Sequence, residues 1–302
     1  MSPGKKIPKT EKVKLSPLQK LLKEKDVLLM LYSKSEEGYF YYSITQEDER
    51  TIYDLLRSRN PKKSSLLIFL DCSGGNVYAA VKIMDALRTK YKEIIVAVAE
   101  EAKSSATLMC LGADKIIMSP VSELGPLDKP MWHPAQEGKV ISALDIVKSL
   151  GSIIDTATNK QRNLANRLVG DFDIKKEKAI GLAGESIANL LTPVLNKEDA
   201  RTYNEALRFL LIAELYGKEF LTDYMLKYLK DKTLREKVAK IVIHNLVWEY
   251  PEHSFAIRRR ELKDSLFLTV EDAEKFDFWN ELWEIFKHTI GEKNKGKVIK
   301  FL

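Results

Sequence analysis

Residues 94–118 read IIVAVAEEAKSSATLMCLGADKIIM, and this stretch decides the predicted fold. Its apolar, β-branched start at 94–98 is typical of a buried strand, and a second such run follows Gly112. Between them, Ser104 and Ser105 open a short apolar helical stretch. A turn from a strand into a helix exposes a serine hydroxyl, and the free N–H groups of the first helical turn favour negative charge. The serine pair is therefore a candidate nucleophile site, although serine is also a favoured helix N-cap.

The preceding residues have the same alternation of strand and helix. Residues 65–70 form a continuous apolar run, the loop CSGGN follows at 72–76, and 77–90 is strongly amphipathic. Such alternation predicts a parallel sheet covered by helices. In these sheets ligands bind beyond the carboxyl ends of the strands. The CSGGN loop and Ser104 are therefore expected at the same edge.

Gly74 and Gly75 in that loop are candidate donors to a reacting oxyanion. Glycine lets backbone N–H groups approach a substrate closely, and such donors are one of the requirements of acyl transfer through serine. A tight turn between a strand and a helix is the alternative explanation. The loop lacks the third glycine of a dinucleotide fingerprint and the lysine of a phosphate-binding loop.

Composition limits the class of protein. The chain has 302 residues, a net charge of +6 spread over its length, and two cysteines without metal or disulfide spacing. No apolar run reaches the roughly 18 residues of a transmembrane helix, and the lysine-rich start is not followed by the long apolar region of a secretory signal. We therefore expect a cytoplasmic protein with no transmembrane segment, no nucleic-acid partner, and no metal or organic cofactor.

The chain divides into three expected parts. Residues 1–17, basic and proline-containing, are interpreted as a flexible arm. Residues 18–195 contain the alternating strands and helices and form the expected catalytic core. Residues 196–302 show mainly helical patterns and are expected to form a C-terminal extension.

The order of these two loops resembles a known group of enzymes. LIFLDCSGGNVYAAVKIMDALR followed by VAVAEEAKSSATLMCLGADKIIMSPVSELGPLD is similar to the Clp-fold serine peptidases of the ClpP/crotonase-like superfamily. The resemblance is closest to the serine dehydrogenase proteinase (SDH) branch, with signal peptide peptidase A as a relative. It covers residues 65–130 well and the rest loosely. It implies an α/β fold with a ClpP/crotonase-like parallel sheet, covering helices and a helical C-terminal extension.

The resemblance also implies roles for individual residues. Ser104 matches the nucleophile, and Gly74 and Gly75 match the oxyanion loop, with the backbone N–H of Ser105 as the partner donor. Ser73 stands where the family often has proline, which departs from the pattern.

Two kinds of residue remain as candidates for the catalytic base, a histidine or a lysine. The SDH branch is described as using serine, aspartate and histidine in that order, so Asp128 matches the acid and His253 the histidine. Signal peptide peptidase A and its relatives use a serine–lysine dyad instead, in which a desolvated lysine loses its proton near neutral pH. Lys148 and Lys160 lie in the expected region for such a lysine.

The sequence thus predicts a serine endopeptidase, ATP-independent by itself, that hydrolyses a peptide or protein substrate through an acyl-enzyme on Ser104. A closed homo-oligomer is expected. The alternative is a catalytically inactive Clp-fold scaffold or binding protein, suggested by Ser73, by Ser105 in place of a small residue and by the unsettled base. Acyl-CoA chemistry is a third hypothesis, because that superfamily shares the architecture.

Overall fold

The computed structural model describes residues 15–32, 42–59, 61, 63–132, 140–195, 200–291 and 296–302. Within them the strands are β1 (Asp26–Tyr32), β2 (Ser65–Cys72), β3 (Glu93–Ala102), β4 (Lys115–Met118), β5 (Glu123–Leu124), β6 (Pro130–Trp132), β7 (Val140–Ser142), β8 (Ile257–Arg258), β9 (Val270–Asp272) and β10 (Lys297–Phe301). The helices are α1 (Pro17–Glu24), α2 (Gln46–Arg59), α3 (Val77–Arg88), α4 (Ser105–Leu111), α5 (Ala143–Phe172), α6 (Lys176–Leu195), α7 (Ala200–Phe220), α8 (Lys232–His244), α9 (Arg259–Asp264) and α10 (Trp279–Gly291). Two π-helical turns, Leu221–Met225 and Asn245–Glu249, follow α7 and α8.

The main sheet is mixed but mostly parallel. In the described part of the chain its order is β10-β1-β2-β3-β4-β9, with β5 paired to β3 and β8 paired to β5. The pairs among β1, β2, β3, β4 and β9 are parallel, whereas β10 and β8 join antiparallel. The short strands β6 and β7 form a separate hairpin.

Strand β2 shows why the sheet is covered on both faces. All eight of its residues are buried. Leu66, Ile68 and Leu70 belong to one apolar cluster, and Leu67 and Phe69 to another, because successive side chains of a strand point to opposite faces. The first cluster includes α3, α4 and α7, and the second includes α1 and α10. This arrangement confirms the predicted α/β class with a parallel sheet and covering helices.

The C-terminal third of the chain contributes to the sheet as well as to the helices. Strands β8, β9 and β10 pair with β5, β4 and β1 respectively, so residues 257–301 extend the same sheet. These short strands had no alternation in the sequence strong enough to indicate them. The division of the chain at residue 195 stays a prediction.

The start of the chain is only partly described. Residues 1–14 and a strand expected at 38–43 fall wholly or largely outside the described residues. Ser16 caps α1, which therefore begins at Pro17, inside the expected arm. Ile44, just before α2, pairs in parallel with Gly75.

Candidate active site

Ser104 occupies a strained turn between β3 and α4. Its backbone has φ 49° and ψ −116°, a conformation that residues other than glycine adopt infrequently. The residue is half-buried, and its hydroxyl donates a hydrogen bond of 2.9 Å to the main-chain carbonyl of Asp128. The turn thus presents the hydroxyl to the surface instead of using it as an N-cap, since it makes no cap hydrogen bond to α4.

The CSGGN loop at 72–76, called the Gly-Gly loop from here on, lies directly against this turn. A Cβ atom on Gly74, whose φ is +110°, would come within 2.8 Å of the Lys103 carbonyl oxygen and 3.1 Å of the Ser104 Cβ. A Cβ atom on Gly75, whose φ is +143°, would come still closer to the backbone of Ile44. Only glycine fits both positions, because positive φ and the close backbone approach exclude a side chain. The structure therefore brings the two predicted loops together at one edge of the sheet.

Two amide groups at this edge have no acceptor among the described residues. They are the N–H groups of Gly75 and Ser105, and both residues line the same cavity as Ser104. The N–H of Gly74 instead donates to the Cys72 sulfur at 3.3 Å. Of the two glycines, Gly75 therefore has the amide that is available to a ligand.

Asp128 lies next to the Ser104 turn, and its side chain is completely buried. One carboxylate oxygen accepts the N–H groups of Lys129 at 2.7 Å and Leu144 at 3.0 Å. The other accepts the hydroxyl of Ser142, which also caps α5. These donors hold the carboxylate in one orientation.

His253 reaches the same carboxylate from the C-terminal third of the chain. Its Nδ1 lies 3.8 Å from the second oxygen of Asp128, which is beyond hydrogen-bond length, and it has no hydrogen-bond partner among the described residues. Burial lowers the pKa of His253 below its ordinary value; the Asp128 carboxylate opposes this shift, and the Lys103 ammonium adds to it. The imidazole is thus neutral near pH 7, as a general base must be.

The proposed alternative lysines do not lie at this site. Lys148 and Lys160 are exposed on α5, and neither lines a cavity beside Ser104. Lys160 instead lines a groove between α5 and α6. Lys103 forms a buried ion pair with Glu123. Among the described residues, the lysine that lines both cavities is Lys129, which no pattern in the sequence indicated.

Among the described residues, two cavities are lined in part by Ser104. An inner one of about 190 Å³ is lined mainly by apolar side chains of α3, α4 and α7. An outer cleft of about 820 Å³ runs from Ser43–Glu47 past the Gly-Gly loop to Pro130. The sequence did not indicate that α7 forms a wall of the inner cavity through Phe209 and Leu210, or that Ser142 donates to Asp128. An amphipathic stripe or an N-cap does not indicate which distant residue it contacts.

Within the described residues, no group of three or more His, Cys, Asp or Glu side chains could hold a metal ion. Cys72 and Cys110 are buried and unpaired, and burial raises the pKa of both thiols. None of the described helices is long and apolar enough to span a bilayer.

Comparison with known proteins identifies a family for this chain. A family model described as ClpP-like SDH-type serine proteinase matches residues 9–210, which include Ser104 and Asp128 but not His253. An uncharacterised protein of Methanocaldococcus jannaschii is 32% identical over 186 residues, which make up 60% of this chain and 59% of that protein. The match therefore spans less than two thirds of that relative.

Solved structures show more distant similarity. A variant of 1510-N, a membrane-bound stomatin-specific protease, is 17% identical with a TM-score of 0.30, over 52% of this chain and 69% of the other. A ClpP1 variant from Listeria monocytogenes is 17% identical with a TM-score of 0.28, over 53% of this chain and 80% of the other. The family match covers more than half of the chain and confirms the resemblance stated from the sequence, so this chain belongs to the ClpP-like SDH-type serine proteinase family.

Proposed function

We propose that this protein is a serine peptidase that hydrolyses peptide bonds through an acyl-enzyme on Ser104. The observation that carries the proposal is the position of the Ser104 hydroxyl. It projects from a strained turn into a cavity that it shares with the two unoccupied N–H groups of Gly75 and Ser105. A hydroxyl and two amides around one cavity are the parts needed to attack a carbonyl carbon and to stabilise the resulting oxyanion.

The mechanism follows from these parts. The Ser104 oxygen bonds to the substrate carbonyl carbon while its proton passes to the base, and the carbonyl oxygen becomes an oxyanion facing the N–H groups of Gly75 and Ser105. The C–N bond then breaks, and the base returns the proton to the leaving amine. Water attacks the acyl-enzyme in the same way and releases the acid and the Ser104 hydroxyl.

His253 is the proposed base, with Asp128 as the acid that orients it. Two observations support this assignment. The Asp128 carboxylate, which three fixed donors orient, lies 3.8 Å from His253. The lowered pKa of His253 keeps its imidazole neutral. In turnover the Ser104 hydroxyl must leave the Asp128 carbonyl and donate to the imidazole instead.

A second candidate function is a non-catalytic Clp-fold binding protein. One observation favours it: the Ser104 hydroxyl donates to a main-chain carbonyl, and no basic side chain of the described residues is hydrogen-bonded to it. Peptide would then bind in the cleft without being cleaved.

Covalent labelling separates the two functions. The wild-type chain, Ser104→Ala and a control, Ser186→Ala on the exposed face of α6, are treated with a fluorophosphonate probe and analysed by peptide mapping. A peptidase is expected to carry label on Ser104 in the wild type and the control and to lose it in Ser104→Ala. Absence of label on the wild type, or equal label after Ser104→Ala, contradicts the proposal and favours the binding protein.

Assembly of the chain into a homo-oligomer stays a prediction. Helix α6 exposes apolar side chains to solvent, among them Ile180, Leu182 and Leu190. A second copy covering that face would remove them from water.

A further inference from the structure

Lys129 lies where the two cavities beside Ser104 meet, since it lines both of them. Its backbone is fixed on both sides: its N–H donates to Asp128 at 2.7 Å, and its carbonyl accepts the N–H of Ala143 at 2.8 Å. The side chain therefore starts from a rigid point next to the proposed nucleophile. It is the lysine that a substrate in either cavity would meet.

The contact that the Lys129 ammonium makes is weak and replaceable. Its Nζ lies 3.4 Å from the centre of the Phe209 ring, and no described carboxylate is within 4.0 Å of it. Partial desolvation lowers the pKa of Lys129, and Glu205 opposes the shift from a greater distance. A cation on a ring face is held less strongly than one hydrogen-bonded to a carboxylate. An incoming carboxylate would therefore compete well for this ammonium.

The inner cavity defines the other half of the ligand. Its volume of about 190 Å³ and its apolar lining, which includes Leu108, Leu127 and Ala213, suit one apolar side chain. The acidic side chain on the outer cleft, Glu47, is already paired with Lys297 at 3.3 Å. Among the described residues that line the two cavities, Lys129 is thus the cation that a bound ligand would meet.

We propose that the site selects peptides that place an apolar side chain in the inner cavity and a carboxylate on Lys129. This inference rests on the proposed function, because a bound peptide is a substrate only if the protein is a peptidase. Two kinds of peptide carry such a carboxylate: one with an acidic side chain next to the apolar residue, and one whose chain ends there with a free C-terminus. Lys129 is then a specificity residue, and the base remains a different group.

Binding to the Ser104→Ala chain tests the inference without turnover. Three fluorescent peptides share one apolar residue and differ beside it: a free C-terminal carboxylate, an internal glutamate with an amidated terminus, and an internal glutamine with an amidated terminus. Fluorescence anisotropy is expected to show about tenfold tighter binding for at least one carboxylate peptide than for the neutral one. Which carboxylate peptide binds tighter identifies the source of the charge.

Variants of Lys129 in the same Ser104→Ala background locate the effect. Lys129→Met is expected to bind all three peptides equally, whereas Lys129→Arg keeps the preference. Lys178→Met, which removes an exposed lysine of α6, is the control for net charge and also keeps it. Equal affinity for the three peptides before substitution, including no binding at all, overturns the inference, and so does a preference that survives Lys129→Met.

Labelling keeps this result separate from the proposed function. If the wild type fails to react with the fluorophosphonate, the hydrolase proposal fails while the binding preference still decides the inference. If Lys129→Met in a chain that retains Ser104 abolishes labelling, Lys129 is the base, and its role as a specificity residue is overturned.

Discussion

Ser104 and His253 are held by two different kinds of segment. Ser104 lies between β3 and α4, where nearly all neighbouring residues are buried and the parallel register of β2 and β3 fixes the turn beside the Gly-Gly loop. His253 follows the π-helical turn at Asn245–Glu249 and precedes the two-residue strand β8. Ser104, the proposed nucleophile, is thus positioned by regular structure close to it in sequence, and His253 by a short irregular segment from far along the chain.

The irregular segment is nevertheless attached at defined points. The N–H of Leu127, next to Asp128, donates to the carbonyl of Leu246 in the π-helical turn at 2.8 Å. Strand β8 pairs Ile257 with Leu124 of β5. π-helical turns are frequent at functional sites because they free backbone groups for such contacts. Both segments thus approach Asp128, the Ser104 turn at its main-chain carbonyl and His253 at its carboxylate, and each segment can be tested separately.

The largest effect on the reactivity of Ser104 is expected from removing His253, in the C-terminal segment. His253→Ala should slow fluorophosphonate labelling of Ser104 by about 100- to 10,000-fold, because a positioned base contributes on that order. Stopped reactions read by gel fluorescence measure the rate. His244→Ala, which removes an exposed histidine of α8, should leave the rate unchanged. Equal rates in the two variants would mean that the C-terminal segment only supports the fold.

The pH dependence of the same wild-type reaction sharpens this test. Burial lowers the pKa of His253 below 6.5, so its neutral form already predominates above that pH. The labelling rate should therefore be flat above pH 6.5 and fall as pH decreases through the lowered pKa. A rate that still rises above about pH 8 would indicate a lysine base instead.

A smaller effect on the reactivity of Ser104 is expected from changing Gly74, which packs against the Ser104 turn. Gly74→Ala forces a side chain into a backbone with φ +110° and towards the Lys103 carbonyl, so the turn at Ser104 must shift. The labelling rate should fall by about 100- to 1,000-fold, similar to the loss of an oxyanion donor. Thermal unfolding of the same variant should show a loss of about 1–3 kcal/mol.

Gly170→Ala is the matched control for this substitution. A Cβ there meets nothing within 4 Å, and the position lies within α5. Its stability should rise by about 0.5–1 kcal/mol, because alanine favours helix more than glycine, and labelling should not change. If Gly74→Ala behaves like this control, the close packing of the two loops is not needed for reactivity.

The smallest effect concerns the sheet beneath the Ser104 turn. Asp71, near the end of β2, is buried and accepts the N–H groups of Glu100 and Glu101. Burial raises the pKa of Asp71 to about 7 from 3.8, so between these values the folded chain holds a proton that the unfolded chain has lost. Its contribution to stability is present below pH 3.8 and is lost as pH rises towards 7.

Comparison of the wild type with Asp71→Asn isolates this contribution. The free energy of unfolding of the wild type should fall relative to that of Asp71→Asn by roughly 2–3 kcal/mol between pH 5 and pH 8. Urea titrations at the two pH values measure the difference. A constant difference at both pH values would show that Asp71 is charged throughout.

Much of the core and of the nucleophile region could be predicted because the signals are local. Residues 65–118 alternate apolar runs with amphipathic segments, and the strands β2, β3 and β4 and the helices α3 and α4 appear there with small shifts of their ends. Asp128 follows soon after in the chain. By contrast, β8 and β9 are two and three residues long, too short to form a pattern distinguishable from loops. Strand β10 has five residues but does not alternate strictly, because the apolar Val298 and Ile299 are adjacent.

The sequence by itself determined the α/β class, the order of the two loops and the resemblance that the family match confirms, because apolar periodicity and the run of small residues around Ser104 are encoded within short stretches. Only the tertiary structure decided which distant groups surround that serine. It brought His253 to Asp128, removed Lys148 and Lys160 from consideration as neighbours of Ser104, and placed Lys129 and Phe209 at the cavity. The physical reason is that a side chain's pairing across the fold depends on the packing of elements far apart in sequence, which no local pattern contains.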